Sequence, residues 1–240
     1  MGKLKTGRRH TSAAARKAAH KKRTKTAEGL LTGKKDNVPP SARLQTLEGL
    51  IKSGQVPDEQ FDDWSARFHM AMKGQKPKHG GLEGAGTKKD TVKGVFTKAN
   101  GGTVLRELAQ WALQQAFSAH FDVQIEGIDT PPDLGSPWML EAEAGDGAVH
   151  HDLARSRGLP DTGNHDTWSL LLCLNADAPY TFRVFERVQE FKDLTSSLAS
   201  EPHKDVTLEK ATWVLFPAKQ QHMVVAGAPR TIANMVFNAF

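Results

Sequence analysis

The feature that most constrains the fold is a series of seven short β-type runs between about residue 121 and the end of the sequence. Turn residues separate these runs, which are FDVQIEGI, WMLEAEAG, WSLLLCLN, YTFRVFERV, TWVLFPA, QHMVVAG and TIANMVFNAF. Several short strands with no helices between most of them predict a β-sandwich or a β-barrel. Because a helix is predicted ahead of these strands, the expected fold class is α+β.

Helical periodicity precedes the strands. Residues 103–121 predict a strong amphipathic helix, with one face formed by Leu105, Leu108, Ala112 and Ala116. The segment 38–74 predicts two shorter helices joined by a turn. The first begins after Ser41, stops at Gly54 and carries Leu44, Leu47, Leu50 and Ile51 on one face. The second begins at Pro57, ends at Gly74 and carries Phe61, Trp64, Phe68 and Met72.

Two segments lack this periodicity. Residues 75–102 are rich in Gly and Lys, which predicts a linker or a mobile loop. Residues 1–37 are dominated by Lys, Arg, Ala and Thr, which predicts a disordered basic arm. The expected organisation is therefore an arm over 1–37, a helical segment over 38–74, a linker over 75–102 and a β-rich domain over 103–240.

The charge distribution indicates a partner for the arm. Residues 1–35 hold 12 Lys and Arg residues and a single acidic residue, Glu28, whereas the other 205 residues hold 20 basic and 26 acidic residues. Such an arm neutralises phosphates without reading their sequence, so we expect it to bind nucleic acid. A solubilising arm, a nuclear import segment and an amphipathic Arg-rich transit peptide are the alternatives.

Composition also limits the compartment and the class of protein. No apolar run is long enough for a membrane span, and the first residues lack the apolar core of a secretory signal, so we expect no membrane association. The single cysteine, Cys173, excludes an intramolecular disulfide framework. These features predict an intracellular protein, and the basic cluster makes the nucleus a candidate compartment.

Two histidines and an aspartate have the types and spacing of metal ligands. His150 and Asp152 form an H-x-D pair, and residues two apart in an extended segment point to the same side, which turns His151 away. His222 follows a distant apolar strand and is a candidate third ligand. Two histidines and one carboxylate on one face of an octahedron form the open facial triad of non-haem Fe(II) oxygenases. A polar loop and a satisfied core histidine are the alternatives.

Four segments, in order, resemble the superfamily of 2-oxoglutarate and Fe(II)-dependent dioxygenases, whose core is a double-stranded β-helix, or jelly roll. They are WMLEAEAGDGAVHHDL, WSLLLCLNADAPYTFRVFE, ATWVLFPAKQQHMV and APRTIANMVFN, and they span roughly 136–240. The resemblance implies that His150, Asp152 and His222 bind Fe(II). It also implies that Arg230 pairs with the 5-carboxylate of 2-oxoglutarate, for which a guanidinium offers two parallel hydrogen bonds.

The spacing of Arg230 demands a tight hairpin. Arg230 lies eight residues after His222, a little closer than is usual in the family, and Gly227 and Pro229 permit such a turn. The rival anchors for the carboxylate are Arg183 and Lys219. On the last strand, either Asn234 or Asn238 could line the pocket, with a structural role as the alternative.

The resemblance implies an enzyme that uses 2-oxoglutarate and dioxygen to hydroxylate or demethylate its substrate. The basic arm favours a nucleic-acid base, which such enzymes flip into the pocket. The alternative substrate is a protein, as in prolyl-type hydroxylases. The alternatives without this catalysis are a jelly-roll binding module, a cupin with another metal, and a capsid-like protein that packages nucleic acid.

Overall fold

The computed structural model describes residues 47–79, 90–129, 137–147, 149–152, 167–185 and 202–239. The helices in these ranges are α1 (Leu47–Leu50), α2 (Asp58–Met72) and α3 (Gly102–Phe117). The strands are β1 (Lys52–Gln55), β2 (Lys78–His79), β3 (Thr91–Val95), β4 (Val123–Ile125), β5 (Trp138–Ala142), β6 (Thr167–Ala176), β7 (Tyr180–Phe185), β8 (His203–Leu208), β9 (Thr212–Pro217), β10 (His222–Val225) and β11 (Arg230–Ala239). The predicted basic arm lies outside the described residues.

The strands form a larger and a smaller antiparallel sheet. In the described ranges the larger sheet has the order β1-β9-β6-β11-β5-β3-β2, and β4 also pairs with β11. Strand β6 pairs with β11 from Arg230 to Asn238, so β5 and β4 share the opposite edge of β11. The smaller sheet has the order β10-β7-β8. This arrangement is jelly-roll-like, as expected.

The larger sheet has a hydrophobic core on each of its two faces, because successive residues of its strands point to opposite faces and many of them are apolar. Helices α2 and α3 cover one face, where their apolar stripes meet Leu170, Leu172, Met235 and Phe237. The smaller sheet covers the other face, where Phe182 and Val184 of β7 meet Leu171, Cys173 and Ile232. We call these faces the helical face and the inter-sheet face.

The predicted second and third helices are confirmed. Helix α2 begins after Pro57, and it buries Phe61, Trp64, Phe68 and Met72 as expected. Helix α3 buries Leu105, Leu108 and Ala112, and it is capped after Phe117 by Ser118, which adopts a left-handed conformation with φ 53°. In the described ranges, none of the helices is long and apolar enough to cross a membrane.

The prediction of a helix through Gly54 is wrong, because residues 52–55 form β1. Its partner is β9, whose hydrogen-bonding edge selects an extended conformation over local helix propensity. Leu50 and Ile51 were expected on one helical face. Instead, Leu50 packs towards the helical face and Ile51 is buried in the inter-sheet core. Ser41 and Leu44 lie outside the described residues.

The predicted linker is also partly wrong, since β2 and β3 fall inside residues 75–102. Strand β3 pairs with β5 and buries Val92 in the inter-sheet core. Its sequence, TVKGV, has one buried apolar position between polar neighbours, so it lacked the apolar run used to recognise strands. Residues 80–89, which contain most of the glycines of this segment, are outside the described ranges.

Candidate metal centre

His222 is placed at the first position of β10, after the turn that follows β9. The side chain is 4 % exposed, and its ring packs between Phe182 and Phe216 at centroid distances of 5.2 and 4.8 Å. Nδ1 lies 3.1 Å from the carbonyl oxygen of Gln220, which can only accept, so Nδ1 is the donor. Burial lowers the pKa of His222 to about 4, so the imidazole is neutral at neutral pH and Nε2 carries a lone pair that can bind a metal.

The segment that carries His150 and Asp152 lies alongside β10. His150 and His222 exchange both backbone hydrogen bonds, with N–O distances of 3.1 and 2.8 Å. The backbone N–H of Asp152 donates to Ala218 O in the turn after β9. Pairing between the H-x-D segment and the start of β10 therefore brings together residues that are about 70 positions apart in the sequence.

The three predicted ligands converge. Asp152 Oδ1 lies 3.7 Å from His150 Nε2 and 3.6 Å from His222 Nε2, and the ligand atoms all lie within 4.8 Å of one another. The side chain of His150 is 27 % exposed, whereas that of Asp152 is 9 % exposed, so the group opens on the His150 side. His151 is not a member of this group, as expected. The arrangement could hold a metal ion.

Arg230 begins β11 and is 8 % exposed. Its Nη1 donates to Ala228 O and Glu143 O, and its guanidinium lies 5.0 Å from the centroid of the Tyr180 ring. Arg230 Nε is buried and has no hydrogen-bond partner in the described part of the chain, and the buried Tyr180 hydroxyl has the thiol of Cys173 beside it. Two adjacent buried donors of this kind fit a carboxylate ligand.

The hairpin before Arg230 is as tight as the spacing required. Four residues join β10 to β11, and Ala226 adopts a positive φ of 49°. A Cβ atom on Gly227 would lie 2.8 Å from Gly145 O and would overlap the guanidinium of Arg230. Gly227 therefore permits both the close pairing with Gly145 and the observed position of Arg230.

One of the two rival anchors, Arg183, is already paired with a carboxylate of the protein. Arg183 forms a two-pronged ion pair with Asp205 of the neighbouring strand β8, with N–O distances of 2.7 and 2.8 Å. Lys219 is half-buried in the turn between β9 and β10. Arg230 has the buried, unbonded donor that a carboxylate anchor needs, which favours it over Arg183.

Sequence reasoning missed Tyr180, the one tyrosine of the sequence. It begins β7 and is 3 % exposed, and burial raises the pKa of its hydroxyl well above the usual value, which keeps the hydroxyl protonated. A lone tyrosine at the start of an apolar strand is a weak sequence pattern. Only the pairing of the strands places it against Arg230.

Solved structures share this architecture at low sequence identity. The non-haem α-ketoglutarate-dependent carbocyclase SnoK from nogalamycin biosynthesis aligns with a TM-score of 0.54 and 14% identity, covering 84% of this chain and 87% of SnoK. The non-haem α-ketoglutarate-dependent epimerase SnoN gives 0.52 and 15%, covering 79% and 78%. EctD from S. alaskensis, solved with 2-oxoglutarate and 5-hydroxyectoine, gives 0.52 and 13%, covering 85% and 77%.

The chain has the fold of the non-haem α-ketoglutarate-dependent enzymes. No protein-family model matches the sequence. No curated protein sequence matches it either. The fold likeness to SnoK covers 84% of this chain, which is more than the stretch of roughly 136–240 that carries the predicted resemblance.

Proposed function

We propose that this protein is an Fe(II)- and 2-oxoglutarate-dependent dioxygenase. The observation that carries the proposal is the convergence of His150, Asp152 and His222 within 4.8 Å on a fold shared with non-haem α-ketoglutarate-dependent enzymes. When bound, Fe(II) and 2-oxoglutarate would supply the activation of dioxygen that hydroxylates a C–H bond and yields succinate and carbon dioxide.

Each residue has a definite part in holding these groups. His222 would bind the metal through Nε2, because its Nδ1 is held by Gln220 O, and such a contact orients a ligand histidine. Asp152 would contribute the negative charge and His150 the second imidazole. Arg230 Nε and the Tyr180 hydroxyl would donate to the distal carboxylate of 2-oxoglutarate, and burial would exclude competing water.

The proposed substrate is a base in a nucleic acid. Support comes from the sequence, in which residues 1–35 are strongly basic while the remainder is acidic. The arm would hold the phosphates that the acidic remainder repels. A protein substrate, as for a prolyl-type hydroxylase, is the alternative, with the arm then serving localisation. We also propose an intracellular site of action, with the nucleus as the compartment that such an arm would suit.

The metal and co-substrate sites can be tested without knowing the substrate. Anaerobic addition of Fe(II) and 2-oxoglutarate should produce a weak visible charge-transfer band, which the purely binding or packaging alternatives do not predict. The band should be lost in His150→Ala and His222→Ala and retained in His69→Ala, an exposed histidine on α2. No band with the unaltered protein would refute the proposed function.

The carboxylate anchor has its own test. Arg230→Gln should weaken 2-oxoglutarate binding by about 100-fold, since a buried charge-assisted contact of this kind contributes a few kcal/mol. Arg183→Gln is the matched control, because Arg183 is paired with Asp205 and should leave the titration unchanged. Weaker 2-oxoglutarate binding by Arg183→Gln, with unchanged binding by Arg230→Gln, would identify Arg183 as the anchor.

The nucleic-acid part of the proposal depends on the arm. Turnover of 2-oxoglutarate should rise with pools of methylated DNA or RNA rather than with peptides. Deletion of residues 1–35 should weaken this stimulation and flatten its dependence on salt, because phosphate contacts release counterions. Stimulation by peptides alone, unchanged by the deletion, would establish the protein alternative.

A further inference from the structure

Of the five buried side-chain oxygens without a hydrogen-bond partner in the described part of the chain, three lie on strand β11 or directly beside it. The atoms are Glu126 Oε2, Ser169 Oγ and Asn234 Oδ1, and the residues are 3, 0 and 6 % exposed. Buried polar atoms in folded proteins nearly always have a partner. Three exceptions in one region therefore call for a ligand.

Strand registers place Ser169 and Asn234 on the inter-sheet face. Ser169 lies between Trp168 and Leu170, which pack on the helical face, and Asn234 lies between Ala233 and Met235, which do the same. Successive residues of a strand point to opposite faces, so Ser169 and Asn234 point towards the smaller sheet.

Glu126 follows β4 directly, and its backbone N–H donates to Val236 O. Ile125 and Phe237 form a cross-strand pair on the helical face. Alternation therefore puts Val236 on the other face, and the hydrogen bond sets Glu126, in the turn after β4, beside it. Val236 is also the partner of Ser169 on the opposite edge of β11, and it lies two residues beyond Asn234. We call Glu126, Ser169 and Asn234 the oxygen cluster.

The oxygen cluster lies beside the candidate metal centre. Ser169 is the register partner of Phe216, whose ring is 4.8 Å from that of His222. Along β11, Asn234 is four residues beyond Arg230, or about 13 Å at the usual rise of a strand. The inter-sheet face thus carries nitrogen and hydroxyl donors at the Arg230 end and unbonded oxygens at the other end.

The chemistry of the oxygen cluster selects a hydrogen-bond donor. An amide oxygen only accepts hydrogen bonds, and a serine hydroxyl and a carboxyl oxygen that carries no proton can each accept one as well. A ligand that fits must present N–H or O–H groups to these oxygens around Val236 of β11. A keto or carboxylate group there would leave the acceptors facing lone pairs.

We propose that Glu126, Ser169 and Asn234 bind an amino group of the substrate. The inference rests on the proposed function, since it takes the oxygen cluster as the part of the active site that receives the substrate. One source of such a group is the exocyclic amine of adenine or cytosine, and another is an aliphatic amine. Uracil and thymine lack an exocyclic amine and should be rejected.

Binding to the unaltered, full-length protein tests this directly. With Fe(II) and 2-oxoglutarate present under anaerobic conditions, ligand-detected NMR would compare cytidine, adenosine, uridine, propylamine and propanol. We expect at least tenfold tighter binding for an amino-bearing probe than for its match, cytidine against uridine or propylamine against propanol. Preference for the nucleosides or for the alkylamine identifies the source of the amino group. Equal binding within both pairs, or no binding at all, would overturn the inference.

Variants locate the effect. Glu126→Gln and Asn234→Leu should each weaken binding of the preferred probe at least tenfold. Asn238→Leu is the control on the same strand, because the side chain of Asn238 already accepts a hydrogen bond from Thr167 Oγ1 at 2.7 Å. Unchanged binding in both cluster variants would contradict the assignment.

The two proposals fail separately. Selective binding of an amino probe by a protein that gives no charge-transfer band would leave the oxygen cluster as a binding site and remove the dioxygenase. A charge-transfer band with no selectivity among the probes would support the dioxygenase and remove the oxygen cluster as a binding site.

Discussion

The buried carboxyl of Glu126 should make the stability of this protein fall as the pH rises. Burial raises the pKa of Glu126 from 4.5 to about 7 in the folded state, because the charged form loses its hydration. In the unfolded chain the group returns to its ordinary value. Between these two pKa values the folded state binds the proton and the unfolded state does not, so the free energy of unfolding declines as pH increases.

The size of the effect follows from the two pKa values. Moving a carboxyl pKa from 4.5 to about 7 corresponds to about 3 kcal/mol. No penalty exists below pH 4.5, where both states are protonated, and the full penalty is present above pH 7. Most of the loss should therefore fall between about pH 4.5 and pH 7, and the curve should level off above that.

Glu126→Gln removes the titrating group while nearly preserving its shape. Urea unfolding should be measured at pH 5, 6, 7 and 8. As the pH rises, the free energy of unfolding of the variant should increase relative to that of the unaltered protein, by about 2–3 kcal/mol over the range. Glu59→Gln, at an exposed position of α2, should follow the unaltered protein throughout. Parallel curves for Glu126→Gln and the unaltered protein would refute the burial of an unpaired carboxyl.

Two further predictions concern the hairpin and the helical face. Gly227→Ala should raise the KM for 2-oxoglutarate about tenfold while iron binding persists, because the added methyl displaces the Arg230 guanidinium. Steady-state kinetics and an Fe(II) titration would measure the two effects. An unchanged KM would contradict this prediction. Phe68→Ala should cost about 3–5 kcal/mol in urea unfolding, because Phe68 is fully buried with its ring 5.3 Å from that of Phe96. Met70→Ala, at a side chain 73 % exposed on the same helix, should cost less than about 0.5 kcal/mol, and equal costs would show that Phe68 does not carry this packing.

Local patterns determined the elements whose burial is continuous or periodic. The stripe of α3 and the apolar runs of β6, β9 and β11 are apolar enough to specify both their type and their approximate limits. Strand β8, HKDVTL, was missed because only Val206 and Leu208 of it are buried. A strand with so few apolar positions carries little periodicity for sequence reasoning to detect.

The sequence also contained the candidate ligands, but it did not determine that they meet. The spacing of His150 and Asp152 puts both on one side of an extended chain by geometry alone. The convergence of His222 with them, and that of Tyr180 with Arg230, depends on which strands pair. The same is true of β1, whose conformation is decided by the free edge of β9 and not by its own helical periodicity.

By itself, the sequence determined the alternation of β-type runs, the amphipathic helices and the chemical types of the ligand residues, because these depend on neighbours within a few positions. Tertiary structure alone decided the pairing of β10 with the H-x-D segment and the placement of Glu126, Ser169 and Asn234 around Val236. Those contacts join strands from distant parts of the chain. Their energies come from hydrogen-bonding edges and shared burial that no local stretch of residues contains.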